Sequence, residues 1–220
     1  MPKIGKLYSQ RFNKEEKHEK NQLWKVLCEN YLQKYIPEDS VVLDLGAGYC
    51  EFINNIRCKT KLAVDINPDM RSHADSSVQA IVANCTNLKE INDYSVDIVF
   101  SSEFFEHLKN AEELFAVLDE TRRILKKGGR LIIVCPNIRF VGHKYWDFID
   151  HRLPLTHLGI REALLMHKFY LLKLIPRFLP YTTKGRLPKS PILLKIYLKI
   201  PFLWNLFGAQ MFVIAKKDQD

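Results

Sequence analysis

Short apolar runs bounded by turn residues alternate along this chain with segments whose apolar residues recur every three or four positions. Val41, Val42, Leu43 and Leu45 make a nearly unbroken run of β-branched and bulky residues, which predicts a strand covered on both faces. Comparable runs predict strands at Lys61–Ile66, Gln79–Ala83, Val96–Ser102, Arg130–Cys135, Phe169–Pro180 and Met211–Lys216. Leu23, Trp24, Leu27, Tyr31 and Tyr35 fall at helical spacing and predict an amphipathic helix over Glu15–Tyr35. A second helix is predicted at Tyr49–Arg57. A third, Ala111–Leu125, has Leu114, Leu118, Thr121, Arg122 and Leu125 in step and Lys126-Lys127-Gly128-Gly129 as its stop. Strands alternating with helices imply right-handed crossovers. The expected fold class is α/β: a Rossmann-like, doubly wound, mostly parallel seven-stranded sheet with helices on both faces and a site along the carboxyl ends of its strands.

The turn after the first predicted strand, Gly46-Ala47-Gly48, has the chemistry for such a site. Its missing Cβ atoms permit positive φ and let a ligand lie against backbone. Free amides at the start of the following helix would make a mildly electropositive cradle. Asp44, one residue before the strand ends, can accept from loop amides or from a ligand ammonium. A dinucleotide fingerprint would place a third glycine where Glu51 stands, so a nicotinamide enzyme is disfavoured, while a tight turn with no ligand is the bland alternative. About twenty residues on, Asp65 ends the next strand before Asn67-Pro68, where a carboxylate reaches both hydroxyls of an adenosine ribose. Asn84, Ser101 and Asn137 also fall at predicted strand ends.

Asp44-Leu45-Gly46-Ala47-Gly48 resembles the first motif of class I S-adenosylmethionine-dependent methyltransferases, and Ala63-Val64-Asp65-Ile66-Asn67 resembles the acidic end of their second strand. The wider strings DLGAGYCEFINNI, SSEFFEHL and RFLPYTTKGRLP are similar to a bacterial subgroup associated with cell-surface glycan biosynthesis. The resemblance covers nearly the whole chain. It implies S-adenosyl-L-methionine as cofactor, with contacts at Asp44, Gly46, Ala47, Gly48, Asp65, Ile66, Asn84, Cys85 and Ser101. Asn84 would take the adenine edge, where the family has an acidic residue. The leading helix would cover the cofactor or merely pack on the core.

The resemblance sets the expected parts of a single domain over residues 1–220. They are a leading helix at 14–35, a cofactor-binding core at 41–136, an acceptor-side lid at 137–168, and last strands at 169–217 with a basic apolar insertion. Methyl transfer from a sulfonium to a hydroxyl needs a base beside aligned reactants. His107, in EFFEHL, is one candidate. Asp147 and His151 are others, because four-residue spacing would put them on one helix face. A self-stabilising lid is the alternative for that segment. Asp147, Asp150, His151 and His157 follow no recognised metal spacing, so no metal is expected. Cys135-Pro136 is similar to a cytosine-methyltransferase nucleophile but ends the fifth strand rather than the fourth, and no Asn/Asp-Pro-Pro-aromatic signature follows strand four. A small-molecule or glycan acceptor is therefore preferred to nucleic acid.

The net charge of +8 changes the picture only in the tail. Residues 1–162 hold 23 basic and 23 acidic residues, and 163–220 hold 10 basic and 2 acidic. Within 186–208, Lys195 and Lys199 lie among Ile, Leu, Tyr, Phe and Trp, with Pro201 interrupting. That composition suits peripheral contact with an anionic membrane surface, or a flap packed on the sheet or on a second subunit. No uncharged run is long enough to span a bilayer, and five cysteines without a C-x-x-C pair suit reduced thiols. With no apolar leader segment, the expectation is a cytoplasmic protein, with peripheral contact at the inner face of the membrane as the alternative the tail leaves open. The rival class is a non-catalytic module that binds S-adenosylmethionine or docks on membranes. The oligomeric state is left open.

Overall fold

The computed structural model describes residues 14–181 and 190–218. Seven strands form one sheet in the order β3-β2-β1-β4-β5-β7-β6. They are β1 Val41–Leu45, β2 Thr60–Asp65, β3 Val78–Val82, β4 Val96–Ser102, β5 Leu125–Pro136, β6 Phe169–Ile175 and β7 Gln210–Lys217. β1 to β5 are parallel, and β7 runs antiparallel between β5 and β6. The chain reverses its strand order at β1 and β4, so a crevice opens where Leu45 and Ser102 end.

Alternation along each strand divides the core. Leu43, Leu45, Val99, Leu131 and Ile133 face one side and pack against Leu114 and Leu118 of α3 (Ala111–Ile124) and Ile160 and Leu164 of α5 (His157–Met166). Val42, Ile98, Phe100, Ile132 and Val134 face the other, against Leu27 of α1 (Lys14–Leu27) and Phe52 of α2 (Glu51–Asn55). Both faces are covered, as a parallel sheet requires. On the second face Tyr31 is an aromatic hub, its ring centroid 4.5 Å from Phe178, 5.3 Å from Phe212 and 5.6 Å from Trp204. Each such buried side chain contributes roughly 1.5–3 kcal/mol from area alone.

Several boundaries differ from the sequence expectation. The leading helix is not uniform to Tyr35: α1 passes into a π turn at Cys28–Leu32 and a 3-10 turn at Gln33–Tyr35. The helix expected at Tyr49–Arg57 shrinks to α2, because Cys50 adopts a left-handed conformation at φ 61°. Lys126-Lys127-Gly128-Gly129 is not a loop after a helix; it opens β5, whose Leu125 already pairs with Val96. The sixth strand stops at Ile175.

The lid and tail also differ. After α4 (Ile138–Val141), the lid forms a 3-10 turn over Gly142–Asp147 and then extends. Asp147 and His151 therefore do not share a helix face: Asp147 ends the turn and is exposed, whereas His151 is buried. In the tail, Pro201 separates α6 (Pro191–Lys199) from α7 (Pro201–Phe207). Residues 182–189, which hold all of TTKGRLP and the start of the 186–208 segment, lie outside the described residues.

Candidate active site

A cavity of about 120 Å³ opens at the β1–β4 crevice, with the Gly46–Gly48 turn on one side and the segment after β4 on the other. At Gly46 the φ is +74° and an added Cβ would stand 2.6 Å from the Phe104 ring, so glycine is needed here for packing. At Gly48 the φ is +51° and an added Cβ would meet nothing within 4 Å, which leaves the backbone open toward a ligand.

The turn's amides are already spent. Gly46 and Ala47 donate to the Val64 carbonyl at 2.9 and 3.0 Å, and Cys50 donates to Ala47 at 2.7 Å. Gly48 donates to Asp65 Oδ2 at 2.9 Å, and Asn67 to Oδ1 at 2.8 Å. The loop thus folds these amides onto β2, Asp65 and itself, while an amide of α2, that of Ile53, faces Asp44. Asp65 buttresses the turn, and its oxygens keep second lone pairs for a ligand.

The cavity wall is acidic, against a chain of net charge +8. Asp44, Glu51, Glu103 and Glu106 line it together with Lys20. Lys20 reaches Glu51 at 3.1 Å. Burial alone would lower its pKa, but the charges of Glu51 and Glu103 raise it, so it stays protonated. Asp44 is only 4% exposed. Burial pushes its carboxyl well above the usual range and the Glu51 charge pushes the same way, while the Ile53 amide pulls it down. Glu106, 2% exposed, is pushed up by burial and then by Glu103.

Beyond the carboxylates the cavity reaches the lid. The amides of Arg152 and Leu153 donate to the Glu106 carbonyl at 2.8 and 3.1 Å, clamping the lid to the 3-10 turn Phe105–His107. His107 and His151 thereby stand with ring centroids 5.1 Å apart. Nδ1 of His107 lies 3.1 Å from the Asp150 carbonyl and 3.4 Å from its carboxylate. The His151 ring stacks on Phe148 at 5.0 Å and tilts against Tyr145 at 4.7 Å.

Of the residues singled out by sequence, Asp44, Gly46, Ala47, Gly48, His107 and His151 line this cavity. Asp65, Ile66, Asn84 and Cys85 lie outside its lining, at the tips of β2 and β3. Ile66 is exposed, Asn84 caps its own turn by accepting from Thr86 at 3.1 Å, and Cys85 is buried. Ser101 is diverted: its hydroxyl, wholly buried, donates to the Leu45 carbonyl at 3.0 Å and ties β4 to β1. Cys135 is buried, and burial pushes its thiol well above the ordinary value, which leaves no nucleophile there. Sequence reasoning missed Lys20, Glu103 and Glu106. The last two stand three apart in EFFEHL, beside the histidine that was chosen, and that spacing was their available signal.

The sheet order and the acidic crevice at the ends of β1 and β4 define the class, an α/β protein whose site suits a cationic ligand. More narrowly, residues 43–133 match the family model described as a methyltransferase domain. That match and the likeness of fold to solved methyltransferases support an S-adenosylmethionine-dependent methyltransferase, with S-adenosyl-L-methionine as cofactor. A crystal structure of an S-adenosylmethionine-dependent methyltransferase from Archaeoglobus fulgidus superposes with a TM-score of 0.68 at 25% identity, covering 90% of this chain and 94% of that one. A Haloferax volcanii methyltransferase complex with the Trm112 activator gives 0.67 at 17% identity over 93% of this chain and 94% of that one, a likeness of fold. An uncharacterized protein of Methanocaldococcus jannaschii is 31% identical over 100 residues, which span 46% of this chain and 42% of that relative.

The residues fit that cofactor at its methionine end. Asp44 is buried among like charges that an ammonium or sulfonium would relieve, and Gly48 leaves room beside the backbone.

Proposed function

We propose that this protein transfers a methyl group from S-adenosyl-L-methionine to an oxygen of a small-molecule or glycan acceptor. The acidic cavity carries the reading, because it runs from the glycine turn to a pair of histidines held beside a buried glutamate. The cofactor supplies a methyl carbon on a sulfonium, which the acceptor displaces in line, leaving the C–S electron pair on sulfur. Asp44 would hold the ammonium, Gly48 the close backbone approach, Asp65 the ribose, and the exposed Ile66 an apolar seat for the base. The ring of Trp24, Phe52, Phe100 and Phe148 would exclude water from the reacting atoms. The acceptor hydroxyl would lie at Glu106, His107 and His151, where its proton leaves. Asp147, exposed and outside the cavity lining, takes no part.

Thermal unfolding with S-adenosylhomocysteine, with NADH as control, tests the reading. At about a hundredfold excess over Kd the ligand adds roughly 2.7 kcal/mol and raises Tm by several degrees. A shift with NADH alone, or with neither at millimolar ligand, would overturn it. Methyl transfer from labelled cofactor into extracted glycans or lipid-linked sugars separates an enzyme from a non-catalytic binding module.

The tail supports a second element of the proposal, peripheral contact with an anionic membrane. Tyr197, Leu198 and Trp204 are buried, and the Trp204 indole donates to the Tyr197 carbonyl at 2.9 Å, so this face is a flap on the core. Ile192 and Phe202, 72% and 68% exposed, share the outer side with Lys195 and Lys199. Trp204 is thus no anchor. Among the described residues no helix is long and apolar enough to cross a membrane. Co-sedimentation with anionic vesicles should fall in an Ile192→Ser, Phe202→Ser, Lys195→Glu variant, and equal sedimentation of variant and parent refutes the contact.

A further inference from the structure

We infer that Glu106, His107 and His151 form a binding site for a divalent first-row transition-metal ion at the acceptor end of the cavity. The three side chains each offer one donor atom, and those atoms all lie within 4.8 Å of one another. Ligands about 2.1 Å from a shared cation stand some 3–4 Å apart, so an ion would draw the cluster together by about an ångström. All three residues line the cavity, which leaves further coordination positions open toward it.

Two observations separate this cluster from an accidental meeting of polar groups. Glu106 is 2% exposed, and its Oε2 has no hydrogen-bond partner among the described residues. A carboxyl so buried stays neutral without a partner and can ionise only against a cation. His107, in turn, has its Nδ1 against the Asp150 carbonyl at 3.1 Å and carboxylate at 3.4 Å. A ring whose Nδ1–H is held by such an acceptor presents Nε2 as a lone pair, which is how metal-ligating imidazoles are oriented. The clamp of Arg152 and Leu153 amides on the Glu106 carbonyl keeps the 151 and 106 ends of the site together.

The donor set selects the ion. Two imidazoles and one carboxylate, with positions left open, suit Zn²⁺, Mn²⁺, Fe²⁺ or Co²⁺ better than the all-oxygen preferences of Mg²⁺ and Ca²⁺. The role of the ion rests on the methyltransferase reading, whereas its binding does not. Coordinated by the ion, an acceptor hydroxyl would lose its proton to water more readily. The oxygen then forms the new O–C bond as the C–S bond breaks.

Titration of metal-free, full-length protein with Co²⁺ tests the site through the visible absorption of the coordinated ion. We expect a saturable band at one ion per chain that Zn²⁺ displaces. His151→Phe keeps the ring packing on Phe148 and Tyr145, and Glu106→Gln keeps the carboxyl's shape. Each should weaken Co²⁺ binding by about tenfold or more, while Glu38→Gln, at an exposed ion pair with Arg57, should match the parent. A missing band, or variants that bind Co²⁺ like the parent, would overturn the site. The S-adenosylhomocysteine shift, measured in EDTA, separates the two readings. An intact shift without Co²⁺ binding removes the metal alone, and Co²⁺ binding without a shift removes the methyltransferase reading alone.

Discussion

Asp44→Asn should stabilise the ligand-free protein while weakening its hold on the cofactor. The carboxyl is 4% exposed, burial opposes its charge, Glu51 and Asp65 add like-charge repulsion, and only the Ile53 amide favours ionisation. Asparagine keeps the shape and can accept from Ile53 through Oδ1, but it carries no charge to desolvate. An inadequately compensated buried polar group costs about 1–3 kcal/mol, so the variant should gain about that much at pH 7. For a chain of this size that is a rise in Tm of roughly 2–12 °C. The sign with pH follows from the raised pKa. Below the unfolded value near 3.9 both states are protonated and the penalty vanishes. As pH rises the unfolded chain loses its proton first, and the penalty grows until pH passes the folded value. The stability difference between variant and parent should therefore widen as pH rises above about 4 in urea titrations. Affinity for S-adenosylhomocysteine should fall by about 10–100-fold, since an ammonium loses its charged partner. A variant less stable than the parent at pH 7, or one binding the ligand equally well, would refute this account of Asp44.

Gly46→Ala should destabilise by about 1–3 kcal/mol in chemical denaturation, because the new Cβ would meet the Phe104 ring at 2.6 Å and φ is +74°. Gly48→Ala, which meets nothing within 4 Å, should cost less stability and relatively more ligand affinity. Asp65→Ala should weaken S-adenosylhomocysteine binding by about 1–3 kcal/mol in calorimetry, since it frees the Gly48 and Asn67 amides and any ribose hydroxyls; an unchanged Kd would remove Asp65 from the site. Native-state thiol labelling at pH 8 should reach the half-buried Cys58 first. Cys50, wholly buried and pushed up to about 12 by burial and then Asp44, should resist until unfolding, and early modification of Cys50 would contradict its placement.

Local pattern alone determined a good deal. Continuous apolar runs placed five of the seven strands to within about one residue at each end and located β5 and β6 with one end misjudged, because strands of a sheet covered on both faces demand apolar side chains. Gly46 and Gly48, both at positive φ, marked the turn, and Asp44 was legible from its place at a strand end. The remainder depended on long-range contacts. Nothing local distinguishes Ser101, spent on the Leu45 carbonyl, from a serine free to meet a ligand. Nor does anything local show that the amides of the glycine turn are claimed by β2 and Asp65 across the sheet. Asp147 and His151 matched a helical spacing that the lid does not adopt, whereas Glu106 and His151, 45 positions apart, meet because the lid's Arg152 and Leu153 amides bond to the Glu106 carbonyl. Lys20 enters the cavity because α1 folds back over α2 to reach Glu51. Periodicity records which face of an element is buried; which polar groups then find each other is decided by the folded chain.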